Sequence, residues 1–269
     1  MTIAIDQQDF GDQLKLWRRQ RHMSQLDLAL EAEISARHLS FVETGRSRPS
    51  RDMVMRLAEC LSLPLRSRNA MLLAAGFAPA YRERSLDDPE LAPARDAVQH
   101  ILDGHAPFPA LAVDRHWNMV AHNKVVPLLL GGVAPALLEP PSNVLRLSLH
   151  PDGLAPRIAN LGQWKHHLLE RLAGQIAASA DPVLEALREE LAACPAPASK
   201  SRPEPSSSIL VPLQIESQAG LLSFISTTTI FGTPVEVTLS EIAIESFFPA
   251  DPQTAAALNA LPFGAAGSG

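Results

Sequence analysis

Arginine is the residue type with evident chemistry in the first third of this chain: Arg37, then Arg46, Arg48 and Arg51 close together. A guanidinium presents N–H donors in a planar fork that matches the O6 and N7 acceptors of a guanine edge. Arginines in a loop supply sequence-blind attraction to phosphate instead. Other chemistry finds little support. Nine histidines are present, but His166 and His167 are adjacent on an expected helix and point in different directions. His116 and His122 have no accompanying His/Cys/carboxylate cluster. Cys60 and Cys194 form no metal-ligand spacing and no disulfide framework. There is no Gly-x-Ser-x-Gly, no phosphate-cradling glycine loop and no His-Glu-x-x-His, so the chain is read as a non-enzyme with no metal and no catalytic residues.

The elements that must position the arginines can be read from capping and periodicity. Ser24 with Asp27 is a Ser-x-x-Asp capping pattern, which starts a helix over about 25–31. Ile34 closes a short turn, and Ser35 restarts the chain as a second helix. Ala29, Ile34, Leu39 and Val42 fall where the pair packs, leaving Ala36, Arg37 and Ser40 on the outer face near the second helix's N-terminus. In a helix-turn-helix that end enters the major groove. Phe10, Leu14 and Trp17 recur at helical spacing ahead of the pair. Ser50 caps a fourth helix with Met53, Val54, Leu57, Ala58 and Leu61 inside, and Pro64 opens a fifth that stops at Gly76.

The string Leu14-x-x-Trp17-Arg18, Ser24-Gln25, Ile34-Ser35, His38-Leu39-Ser40, Glu43-x-Gly45-Arg46, Pro49-Ser50 and Leu57-Ala58 resembles the lambda-repressor-like domain of xenobiotic-response-element regulators. One departure is Glu33, where such turns often carry glycine for a positive φ. The resemblance implies that Gln25 holds a phosphate and braces the third helix. It implies further that Arg37 and Ser40 reach base edges, that Ser35, Ala36 and His38 are their neighbours, and that Arg46, Arg48 and Arg51 contact phosphates. The plain alternatives are solvated surface charge for the loop arginines and simple helix capping for Ser35. Glu43 is expected to make an internal contact.

A net charge of −6 is unevenly spread: residues 1–84 hold 13 Lys/Arg against 10 Asp/Glu, and residues 85–269 hold 10 against 19. A basic end on an acidic body fits a DNA-binding module joined to something else. The expected organisation is a five-helix domain over 1–84, a proline-dotted linker over 85–95, and a second domain over 96–269. No signal peptide and no spanning apolar run are evident, so a cytoplasmic protein without a membrane partner is expected.

In the second domain a helix over about 91–104 precedes two strands, at 110–113 and 117–123. Helical segments follow near 125–130, from Asn143, over 154–178 and from Asp181-Pro182 to about 193. A Pro/Ser-rich loop over 194–208 leads to three strand-like runs at 209–217, 221–231 and 235–248, then an Ala-rich tail helix. Ser226-Thr227-Thr228-Thr229 suits a polar sheet face or a polar patch inside a pocket. This order resembles a PAS-like α+β fold with a mostly antiparallel sheet and an enclosed cavity. Trp117-x-x-x-Ala121-x-Asn123, Asn143-x-x-Arg146, Trp164 and Asp181-Pro182 make it similar to MmyB-like ligand-binding regulators. The resemblance implies a small, largely apolar effector such as a fatty-acid-like molecule in place of a cofactor. Candidate ligand contacts are Phe108, Trp117, Asn123, Arg146, Trp164, Leu168 and Phe224. Core packing is the alternative for the aromatic residues, and fold-stabilising hydrogen bonding for Asn123 and Arg146.

The function expected is a homodimeric, sequence-specific transcriptional regulator that binds a roughly palindromic double-stranded DNA operator and responds to that effector. The alternative keeps the DNA-binding head and makes the second domain a protein-interaction or dimerisation platform without a small molecule.

Overall fold

A computed structural model of the chain describes residues 9–196, 210–231 and 236–260. These divide into two compact units. The first is residues 9–85 with short pieces at 177–179 and 236–240; the second is the remainder.

Five helices build the first unit: α1 (Phe10–Gln20), α2 (Gln25–Glu31), α3 (Ala36–Glu43), α4 (Arg51–Cys60) and α5 (Leu65–Ala74). Their starts follow the caps expected. The Ser24 hydroxyl accepts from the Asp27 N–H at 3.1 Å, and the Asp27 carboxylate accepts from the Ser24 N–H at 2.8 Å. Ser35 and Ser50 cap α3 and α4 one way only, their hydroxyls accepting the N–H groups of His38 and Met53. All five ends use one backbone device, in which the chain turns left-handed for one residue and two N–H groups return to the last turn. After α2 that residue is Glu33, at φ +54°; its N–H reaches the Leu30 carbonyl and the Ile34 N–H reaches that of Ala29. His22, Gly45, Ser62 and Gly76 occupy the equivalent positions. Inside, Leu14, Leu28, Leu39, Leu57, Leu61 and Leu72 are fully buried, and Ala29 lets α2 lie close to its neighbours.

The second unit opens with α6 (Ala92–Gly104), which begins inside the stretch expected as linker, and continues through β1 (Ala110–Val113) and β2 (Met119–His122). Three short helices follow: α7 (Val126–Leu129), α8 (Pro135–Leu138) and α9 (Val144–Leu149). Then come the long α10 (Leu161–Ser179), α11 (Pro182–Ala193), β3 (Leu213–Ser217) and β4 (Gly220–Ile230). After α12 (Val237–Ser240), whose residues belong to the first unit, β5 (Ala243–Pro249) and α13 (Pro252–Asn259) complete the described chain. The sheet order is β2-β1-β5-β4-β3 with every pair antiparallel. That is the PAS-like α+β fold expected from the sequence.

Several boundaries differ from expectation. The run at 235–248 splits because the Glu236 carboxylate accepts the Leu239 N–H at 2.8 Å and starts a helical turn before β5. Helix α10 begins at Leu161, not near 154, because Asn160 is engaged by the strand opposite: its side chain donates to the Pro212 carbonyl at 2.7 Å and accepts the Gln214 N–H at 3.2 Å. Between the helical segments expected near 125–130 and from Asn143 stands a further one, α8. Most of the Pro/Ser-rich loop lies outside the described residues.

One close approach fixes how α1 meets α3. A Cβ at Gly11 would stand 2.5 Å from the Glu43 backbone carbonyl oxygen, a contact backbone cannot relieve cheaply. Gly11→Ala should therefore destabilise the first unit by about 1–3 kcal/mol, the usual cost of overpacking, read as a lower urea midpoint.

Candidate functional site

The outer surface of α3 is arranged around Phe41. The Arg37 guanidinium lies over its ring at 5.4 Å, and the Arg46 guanidinium lies over it at 5.9 Å. The Phe41 carbonyl also accepts the N–H groups of Arg46 and Ser47, so the loop after α3 is tied to the residue that carries both cations. Arg37, Arg46, Arg48 and Arg51 are all exposed, while Ala36, His38 and Ser40 are half-buried on the same helix. Ser35 is exposed, and its hydroxyl caps α3 by accepting the His38 N–H at 3.1 Å. Phe41 was not among the residues expected here. Its spacing, four from Arg37 and five from Arg46, was the available signal.

Beneath that surface sits a buried ion pair. Arg18 of α1 donates from Nε and Nη2 to the two carboxylate oxygens of Glu43, at 2.6 and 3.0 Å, and from Nη1 to the Met23 carbonyl. Gln25, at the start of α2, donates from Nε2 to Glu43 at 2.7 Å. Glu43 thus faces inward as expected, and Gln25 braces α3 through it. Arg18, next to Trp17 on α1, is buried. Burial pushes the Glu43 carboxyl up, but the bonds from Arg18 and Gln25 and the nearby positive charges outweigh it and hold the group below its ordinary value.

The second unit contains an apolar cavity of about 90 Å³ between sheet and helices. Leu111 and Phe224 wall it from the sheet, Leu147 from α9, and Trp164 and Leu168 from α10. Trp117 closes one side from the β1–β2 turn, with a left-handed φ of +68° that bulky residues seldom adopt. Its backbone is held there by the Asp114 carbonyl, which accepts its N–H, and by the Val144 N–H, which its own carbonyl accepts. The Trp117 indole donates to the Gln175 side chain at 2.8 Å, and the Trp164 indole donates to the Ser148 hydroxyl at 2.9 Å.

The polar end of the cavity is an ion pair absent from the sequence reading. Arg171 of α10 donates from Nη1 to Glu245 Oε2 at 3.0 Å and from Nη2 to Glu245 Oε1, and its guanidinium stacks 4.4 Å above the Trp117 ring. Glu245 is 3% exposed and also accepts from the Thr228 hydroxyl at 2.8 Å, directly across the β4–β5 ladder. Ser226, two residues along the same face, lines the cavity, while Thr227, Thr228 and Thr229 are exposed, so the Ser/Thr run places one hydroxyl in the pocket and the rest on a polar face. The signals for this pair were Arg171 among Leu168 and Leu172 on an apolar helix face, and Glu245 inside an apolar strand.

Of the expected ligand residues, Trp117, Trp164, Leu168 and Phe224 converge on the cavity. The other three do not line it, which corrects the sequence reading. Asn123 is fully buried and spends its side chain on the carbonyls of Leu102 and Phe108 and on the Val125 N–H. Arg146 forks the Glu190 carboxylate at 2.7 and 2.8 Å. The Phe108 ring lies beside His105, 5.9 Å between centroids. Among the described residues no group of three or more His, Cys, Asp or Glu could hold a metal ion, and no helix is long and apolar enough to cross a membrane.

A helix-turn-helix unit with exposed arginines, joined in one chain to a PAS-like unit with a cavity, defines a DNA-binding transcription regulator with a ligand-binding type of second domain. Residues 14–67 match the helix-turn-helix family, and residues 94–261 match the family described as MmyB-like transcription regulator ligand binding domain. The chain belongs to this MmyB-like family. Neither description is of an enzyme. No curated protein sequence matches the chain. A solved structure titled "Structure of an RNA-binding Light-Oxygen-Voltage Receptor" is similar at 12% identity, covering 95% of this chain and 63% of that one, with a TM-score of 0.26. The chain spans less than two thirds of that receptor's length.

The ionised Glu43 is favoured in the folded state, so its stabilisation is present above the unfolded value near 4.5 and is lost as pH falls through the lower folded value. Between about pH 5 and pH 3, the first unit should lose stability more steeply in the natural chain than in Glu43→Gln, as followed by thermal melts across that range.

Proposed function

We propose that this regulator binds a roughly palindromic operator as a homodimer and responds to a small, largely apolar effector in its second domain. For the effector, the carrying observation is the cavity, whose walls are hydrocarbon, indole and the Met119 thioether except for Arg171, Glu245 and two serine hydroxyls. At about 90 Å³ it has room for several water-sized bodies or a compact apolar group. A longer alkyl chain would enter by rotamer changes in the surrounding leucines. For DNA, support comes from Arg37 at the exposed start of α3, where a recognition helix meets base edges, and from Arg46, Arg48 and Arg51 flanking it. The two functions couple if the effector favours one arrangement of the paired DNA-binding heads over another, since a ligand shifts an equilibrium only by its differential affinity.

Arg37→Ala should cost about 1–3 kcal/mol of discrimination at one base pair, whereas Arg48→Ala should weaken all sequences alike and lower the salt slope by about 1. Competition gel shifts over a salt series separate the two. If no genomic fragment outcompetes random DNA, the operator reading fails.

For the effector, Leu168→Trp should fill the cavity and abolish retention of apolar ligands while leaving DNA affinity of the empty protein within about twofold. Native mass spectrometry of the purified chain, followed by gel shifts, reads both. A natural chain that takes up no apolar molecule would favour an interaction platform.

A further inference from the structure

The polar end of the cavity is already charge-balanced, and that bears on what can occupy it. Arg171 is the guanidinium at the cavity wall, and it holds a carboxylate of the chain itself through both terminal nitrogens. Glu245 is all but sealed from solvent, with its two oxygens accepting from Arg171 and Thr228. Trp117 covers the guanidinium from the other side. An incoming carboxylate would have to draw Arg171 away and leave Glu245 buried without its cation, or share one positive charge with an anion that is itself buried. Both are unfavourable, because breaking a buried pair leaves an uncompensated charge. A neutral ligand faces neither obstacle. Its hydroxyl or carbonyl can bond to a serine: the Ser148 hydroxyl accepts from Trp164 and keeps its own proton to donate, and Ser226 stands on the same wall as Thr228.

We infer that the cavity selects an uncharged apolar molecule with a neutral oxygen function, such as an alcohol, ester or ketone, and discriminates against the free carboxylic acid of the same chain length. Glu245 is the specificity determinant, because it occupies the guanidinium that an acid would need. This inference rests on the proposal that the second domain takes up a small effector, and it assigns the chemical class.

The test is a matched pair, decanol and decanoate, titrated into the full-length natural chain near neutral pH and below their aggregation thresholds. Quenching of tryptophan emission reports occupancy, since Trp117 and Trp164 line the cavity. Decanol should bind at least about tenfold more tightly than decanoate, equivalent to about 1.4 kcal/mol. Glu245→Gln retains the side-chain shape and removes the negative charge that neutralises Arg171. It should raise decanoate affinity by at least about tenfold and leave decanol nearly unchanged, so the preference narrows or reverses. Equal or tighter binding of decanoate to the natural chain would overturn the inference while leaving an effector-binding domain in place. Saturation by neither probe, together with no uptake of other apolar molecules, would remove the effector proposal and this inference with it. Should the variant fold poorly by circular dichroism, the comparison on the natural chain decides alone.

Discussion

The attitude of α3 depends on one carboxylate. Glu43 ends that helix facing inward, where Arg18 from α1 and Gln25 from α2 both donate to it. Three helices therefore meet at two oxygen atoms. Gly11 permits this by letting the start of α1 approach the Glu43 backbone to a distance no other residue could match. Burying an ion pair confers little net stability compared with apolar packing, because desolvation offsets the attraction. Its effect is geometric, since alternative settings of α3 would leave Arg18 or Glu43 buried and unpaired. The exposed arginines inherit their placement from that constraint.

The second unit solves a related problem with the same two functional groups. Arg171 and Glu245 join α10 to the middle of the sheet, and Thr228 completes the shell from the adjacent strand. Here the pair borders a hollow space and not a packed core, so satisfying the fold and equipping the cavity become one task. Around it, Asn123 and Asn143 perform the less visible work of holding turns. Asn143 caps α9 through its side-chain oxygen and donates to the His116 carbonyl.

Local signals made much of this legible in the sequence. The serine caps at 24, 35 and 50 and the leucine spacing located all five helices of the first unit, because capping and periodicity are properties of a few adjacent residues. Helix ends were harder to see. Only Gly45 and Gly76 advertise the left-handed residue, whereas His22, Glu33 and Ser62 adopt it under tertiary demand. In the second unit, element order and antiparallel topology were readable, but boundaries moved where a distant residue took up a side chain, as Asn160 does with the 212–214 edge. The aromatic wall of the cavity was foreseen, while its ionic end was not, because Arg171 and Glu245 are 74 positions apart. Asn123 and Arg146 were singled out as polar, and they proved occupied by the fold.

Arg37 and Arg46 rest against a single ring, that of Phe41. Each guanidinium is held against that ring, so both are partly immobilised before any partner arrives. Less side-chain entropy is forfeited on association as a result. The two share one partner, which is the condition under which substitutions couple. Thermodynamic coupling between a helix residue and a loop residue is thus built into a patch of surface three side chains wide.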